Sequence, residues 1–170
     1  MEKSTNMDRL TVDPASLSLV ELRSLRAQLQ ADDDVVSYVR RLVQARLDLI
    51  RAESEHRASG DELSVTEDLP VILGQHLTGG SARPPRPTED ASGHPLALQL
   101  DELSSSLGAH HVAELSSAEL DTLLDGLERF EHARSSERRE LFTRLDALSA
   151  ELVRRYRDGE ASVEGLLAEE

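Results

Sequence analysis

One stretch of this chain repeats another. Shifted by 98 positions, Leu17-Ser18-x-x-Glu21-Leu22-x-x-Leu25 returns as Leu115-Ser116-x-x-Glu119-Leu120-x-x-Leu123, and Leu29 returns as Leu127. Farther on, Ser37, Arg40, Arg41, Arg46, Leu47, Asp48, Ala52 and Glu53 return as Ser135, Arg138, Arg139, Arg144, Leu145, Asp146, Ala150 and Glu151. That is 14 identities over the 37 ungapped positions 17–53. Two amphipathic helices of similar composition would match at Leu. They have no reason to match at Ser, Arg and Asp as well, so the chain reads as a duplicated unit.

The unit is helical. Ser18-x-x-Glu21 has the form of a capping box, in which the Ser oxygen takes an orphan amide and the Glu returns to the Ser amide. Leu19, Leu22, Leu25 and Leu29 then fall on one helical face. Asp32, Asp33 and Asp34 are expected to break or recap the helix, their charge suiting a new N-terminus. A long second helix would run from about Asp33 to about Ala58, with Gly60 as its C-terminal cap. The second copy carries the same short-helix, long-helix pattern, its long helix near Glu128–Asp158 and Gly159 its stop. The expected organisation is all-α: a flexible tail at 1–14, the first helical repeat at 15–59, a flexible linker at 60–96, a short helix or loop at 97–114, the second repeat at 115–159 and a tail at 160–170. The linker assignment rests on its Gly and Pro residues, densest between Thr78 and Pro95. Within it the apolar run Leu69–Leu73 reads as a loosely packed turn rather than a docking segment.

Composition removes several functions. With 33 acidic residues against 19 basic ones the net charge is −14, which argues against a DNA-coating surface and for a basic partner. There is no Cys, hence no thiol chemistry or Cys-based zinc site. The six His form no His-Glu-x-x-His arrangement, and adjacent His110 and His111 point to different helix faces, so no metal is expected. Neither a Gly-x-Ser-x-Gly nor a Gly-x4-Gly-Lys loop is present, and an enzyme is the weakest class. No apolar run approaches a membrane span, and Met1 to Val12 carries no hydrophobic signal core, so a cytoplasmic protein is expected.

The retained polar residues form a line. Asp33, Ser37, Arg40, Gln44 and Asp48 fall within roughly 80° of arc, over about 22 Å of helix. The apolar residues Val35, Val36, Val39, Leu42, Val43 and Ile50 form a separate stripe, roughly 130° around the cylinder. In the second copy the line reads Glu131, Ser135, Arg138, Phe142 and Asp146. Arg can grip the O6 and N7 edge of guanine, a carboxylate accepts from guanine's other edge, and Ser and Gln adapt to phosphate, ribose or base. Such a line can read a guanine nucleotide. Alternatively it is a solvated coiled-coil flank laced with salt bridges. One copy alone favours the flank. Duplication in register favours the ligand.

The twofold pattern Glu-x3-Ser-x2-Arg-x3-Gln-x3-Asp resembles the signature of the RsiG family, anti-sigma factors of spore-forming actinobacteria armed by the second messenger cyclic di-GMP. The first copy departs from it at Asp33, which stands for Glu, and the second at Phe142, which stands for Gln. The resemblance covers residues 17–53 and 115–151. It implies an antiparallel coiled coil of the two motif helices and two cyclic di-GMP molecules, one per motif. It further implies that the loaded surface sequesters a WhiG-like sporulation sigma factor, with no direct contact to nucleic acid or membrane. Phe142 would remove one hydrogen bond to the ligand or supply a ring to stack on a base. The rival reading is a ligand-independent helical adaptor for a protein partner, which accounts for the Leu stripes but not for the retained Ser, Arg and Asp.

Overall fold

The computed structural model describes residues 12–59 and 91–159. Most of the expected linker and tails, including Gly60 and the Leu69–Leu73 run, lie outside the described residues. Three α-helices account for most of the rest: α1 (Leu19–Ser59), α2 (Pro95–Ser106) and α3 (Ser117–Arg157). Short 3-10 turns, Pro14–Ser16 and Ala109–Glu114, precede α1 and α3. There is no strand among the described residues, and the fold is all-α.

Both capping boxes form. Ser18 N donates to Glu21 Oε2 at 2.8 Å and Glu21 N to Ser18 Oγ at 3.3 Å. The second copy repeats this at Ser116 and Glu119, with 2.8 and 3.4 Å. The hydrogen bonds from Ser18 and from Ser116 hold the two glutamates below their ordinary pKa.

The expected break at Asp32–Asp34 does not occur. α1 is one helix of 41 residues, and so is α3. The physical reason is the balance of terms. Asp costs a helix interior about 0.7 kcal/mol or less. No Gly or Pro interrupts Leu19–Ser59, while a fully buried Leu contributes about 1.5–3 kcal/mol. The buried residues Leu22, Leu29, Val36, Val43 and Ile50 recur every seventh position, the spacing of a coiled-coil seam. Their repeat counterparts Leu120, Leu127, Leu141 and Leu148 are buried too. The fifth counterpart is Arg134, whose guanidinium lies 5.3 Å from the Phe130 ring.

The contacts divide the chain into two compact units. The first comprises Met1–Asp34 and Glu137–Glu170. Here the start of α1 runs antiparallel to the end of α3, since Arg23 donates to Tyr156 and Arg26 to Ser149. Leu22, Leu29, Leu141, Leu145, Leu148 and Leu152 are buried. Arg155 donates to the carbonyls of Pro14 and Ala15, and Arg144 to that of Val12.

The second unit is Val35–Ser136. The rest of α1 runs antiparallel to the start of α3, and α2 joins them. The core holds Val39, Val43, Leu47 and Ile50 of α1, Ala97 and Leu100 of α2, and Leu120, Leu123 and Leu127 of α3. Arg46 clamps α2 through the Leu100 carbonyl, Ser104 Oγ at 2.6 Å and Asp101. Arg57 donates to the carbonyls of Val112 and Leu115. His94 caps α2, its ring accepting from Leu96 N at 3.2 Å. At Gly126 the helix comes close to Leu107: a Cβ there would stand 2.6 Å from Leu107 Cδ1, and that side chain would have to shift.

Candidate ligand-binding site

Helical periodicity places the ten stripe positions, and the antiparallel register decides what they meet. The head of each motif shares a unit with the tail of the other.

In the Val35–Ser136 unit, three stripe residues converge on one carboxylate oxygen of a fourth. Arg40 Nε donates to Glu131 Oε1 at 3.1 Å, and its Nη2 lies 3.0 Å from the same atom. Gln44 Nε2 donates there at 3.2 Å and Ser135 Oγ at 2.9 Å. Arg40 and Gln44 come from the first copy, Glu131 and Ser135 from the second. Burial alone would raise the Glu131 pKa, but the hydrogen bonds from Ser135 and Arg40, with the charges of Arg40 and His132, hold it below its ordinary value. Asp48 sits one stripe step beyond Gln44, 3.9 Å from Arg51 Nη1. Ser37 Oγ is buried and makes no hydrogen bond.

In the other unit the roles of the copies are exchanged. Arg138 of the second copy lies 3.3 Å from Asp33 Oδ1 of the first. By the repeat offset this is the counterpart of the Arg40–Glu131 pair. Asp33 is only 5% exposed, so the head of the first motif belongs to the packing seam rather than to a stripe set apart from it. Phe142, where the pattern has Gln, makes no hydrogen bond through its side chain. Its ring centroid is 4.6 Å from the Arg138 guanidinium carbon. Asp146 is exposed and has no ion pair among the described residues.

The chemistry left available follows from these pairings. The Nε/Nη2 edge of Arg40 is turned to Glu131, while its end fork through Nη1 is free to donate. Gln44 keeps its side-chain carbonyl as an acceptor, and Asp146 an exposed carboxylate. Ser37 Oγ is a buried hydroxyl with no partner, which costs about 1–3 kcal/mol unless something bonds to it. A charged fork, an amide, a hydroxyl and a carboxylate on one helical line suit a polar, planar, anionic ligand. No group of His, Asp and Glu suited to a metal ion occurs among the described residues. A concavity of about 450 Å³ between Arg46, Ile50, Ser104 and His110 is lined by no stripe residue.

Three features were beyond the sequence reading. It did not identify Glu131 as a hub for donors from both copies. It did not give the paired Arg46 and Arg144 a task, although they matched in the repeat. It also missed Arg57 and Arg155, four positions past the compared segment, whose equivalent contacts extend the duplication.

Comparison with known proteins agrees with the duplication. The sequence profile of the family described as RsiG-like matches residues 9–73 and again residues 106–170. No curated protein matches the chain. Among the described residues no helix is long and apolar enough to cross a membrane. The two matched segments cover most of the chain, contain both motifs, and support a role of the anti-sigma type. The chain belongs to the RsiG-like family.

Proposed function

We propose that this protein is a cyclic di-GMP-dependent anti-sigma factor. It acts in the cytoplasm, is not an enzyme, and sequesters a WhiG-like sporulation sigma factor when two cyclic di-GMP molecules are bound to its motifs. The observation that carries the reading is the reciprocal pairing of motif arginines, Arg40 with Glu131 and Arg138 with Asp33. The carboxylates of both pairs are largely buried, with side-chain exposures of 15% at Glu131 and 7% at Asp33, which a solvated flank laced with salt bridges does not produce.

The residues fit the ligand. The arginine forks would face the O6 and N7 edge of guanine, and Asp48 and Asp146 its amino and imino hydrogens. Ser37 Oγ, buried and unpartnered, would bond to phosphate or ribose. Glu131 holds Arg40 by a hydrogen bond to its side edge and Asp33 attracts Arg138 Nε from 3.3 Å, so each free fork is oriented and less side-chain freedom is lost on binding. Without ligand, the polar line would have to be desolvated against the partner, which is costly for unpaired groups. With ligand, those groups are satisfied, and bases and phosphates are offered to a basic sigma surface. A net charge of −14 suits such a partner.

The coupling is reciprocal: the sigma factor tightens cyclic di-GMP binding by the factor by which the ligand tightens sigma binding. The test is titration of the sigma factor at fixed salt with cyclic di-GMP present, absent, or replaced by cyclic di-AMP. Adenine has an amino group in place of O6 and lacks the N1–H and 2-amino donors. Strong binding is therefore expected with cyclic di-GMP alone. Equal binding in all three conditions would leave a ligand-independent adaptor and exclude the switch.

A further inference from the structure

The two motifs differ most at the position after the arginine, and the difference bears on ligand binding. Resting on the cyclic di-GMP reading, we infer that Phe142 caps its own site: its ring occupies a face of Arg138 that a guanine would stack against, so the two ligands bind unequally, first at the Arg40 site and then at the Arg138 site.

A guanidinium recognises a base through a hydrogen-bonding edge and through its flat faces. At Arg40 the side edge is held by Glu131, and no aromatic ring lies over the group among the described residues. No ring has to move before a ligand reaches its faces, and its Nη1 makes no hydrogen bond among the described residues, although at 22% its side chain is less exposed than that of Arg138 at 35%. At Arg138 the Nε edge is directed to Asp33, and one face carries the Phe142 ring at 4.6 Å. The geometry is that of a cation–π contact. Phe142 is 40% exposed, an unusual setting for a large apolar ring on a protein whose other phenylalanine, Phe130, packs against the core. The contact on Arg138 compensates for that exposure. A planar ligand must displace the ring before it can use that face.

A second effect has the same sign. Gln44 is anchored by its amide nitrogen to Glu131, which leaves its carbonyl directed by that bond. Phe142 has no polar atom to offer. The Arg138 site thus loses a hydrogen-bonding group and must give up a cation–π contact, whereas the Arg40 site has no ring to displace and keeps its amide. Contacts of this strength correspond to a roughly tenfold difference in affinity.

The test uses the full chain and cyclic di-GMP itself. A readout without ligand comes first. The Arg138 Nε–H resonance should be displaced by the ring current of Phe142 in the parent and return to the ordinary arginine position in Phe142→Gln and Phe142→Leu. Calorimetric titration then follows. The parent should bind in two steps about tenfold apart. Phe142→Gln should bring them within about threefold, by strengthening the weaker step only. Arg40→Ala should remove the tighter step and Arg138→Ala the weaker. Equal steps in the parent, a Phe142→Gln chain no stronger at its weaker site, or loss of the tighter step in Arg138→Ala would each overturn the inference while the proposed function stands. Failure of every variant and the parent to bind would overturn the proposed function, and the inference with it.

Discussion

The Val35–Ser136 unit and the unit formed by Met1–Asp34 with Glu137–Glu170 are built from the same repeat with the copies exchanged, and they satisfy their polar groups differently. In the former, a Glu reaches donors on both long helices, so Arg40, Gln44 and Ser135 share one oxygen. In the latter, an Asp one methylene shorter has Arg138 at 3.3 Å, and Phe142 supplies a ring in place of an amide. The outer faces differ as well. Leu42 and Leu49 of α1 have Glu140 and Ala147 as counterparts on α3. The former face adjoins a third helix clamped by Arg46, whereas Arg144 holds only the Val12 carbonyl among the described residues. Duplication thus kept the Ser, Arg and Asp positions of the motif and changed it at two places only, Asp33 against Glu131 and Gln44 against Phe142.

Removing the third helix from the Val35–Ser136 unit should have the largest effect. Leu100 is fully buried in its core. Leu100→Ala should cost about 2–5 kcal/mol in urea unfolding, with the loss of amide-exchange protection concentrated in residues 35–59 and 95–136. Uniform loss across both units would show that the comparison draws its boundary in the wrong place.

The carboxylates come next. Glu131→Ala deprives Arg40, Gln44 and Ser135 of their shared acceptor and should cost about 1.5–3 kcal/mol. Asp33→Ala should cost less, because Asp33 Oδ1 accepts no hydrogen bond from Arg138, whereas Glu131 Oε1 accepts from three residues. Equal costs, measured by the same unfolding titration, would erase the distinction between hub and simple pair.

Acid should reveal the same asymmetry. Glu131 is held below its ordinary value and Glu151, through its hydrogen bonds to Arg154 and Arg155, at about 2. A lowered carboxylate stabilises the fold fully above its unfolded value near 4.5, and that contribution fades as pH falls through the folded one. Stability should therefore drop as pH falls from about 4.5 toward 2. Glu131→Gln should flatten part of that slope. A slope unchanged in the variant would place the acid sensitivity elsewhere.

The smallest effect concerns the ring. Phe142→Leu keeps an apolar side chain but ends the contact with Arg138, and should cost about 0.5–1 kcal/mol.

The parts of this molecule legible in its sequence are those set by short-range spacing. The capping boxes at Ser18 and Ser116 need only residues three apart, and the Leu seam only a period. The break expected at Asp32–Asp34 failed because propensity is a weak local term and the buried seam runs straight past it. The ten stripe positions were legible because helical geometry puts them on one line. Their partners were not, because which residue of α3 faces Arg40 depends on the antiparallel register, and no local pattern encodes it. For the same reason Arg46 and Arg144 were visible as matches but not as clamps.

The central claim is that each motif arginine, held by the opposite copy, takes one ligand. It is tested most directly by counting cyclic di-GMP bound at saturation by the parent, Arg40→Ala, Arg138→Ala and the double variant, with Arg129→Ala on the exposed face of α3 as control. The account predicts two molecules for the parent and the control, one for each single variant and none for the double, with helicity unchanged throughout. Two molecules bound by all five proteins, or none by any, would contradict it.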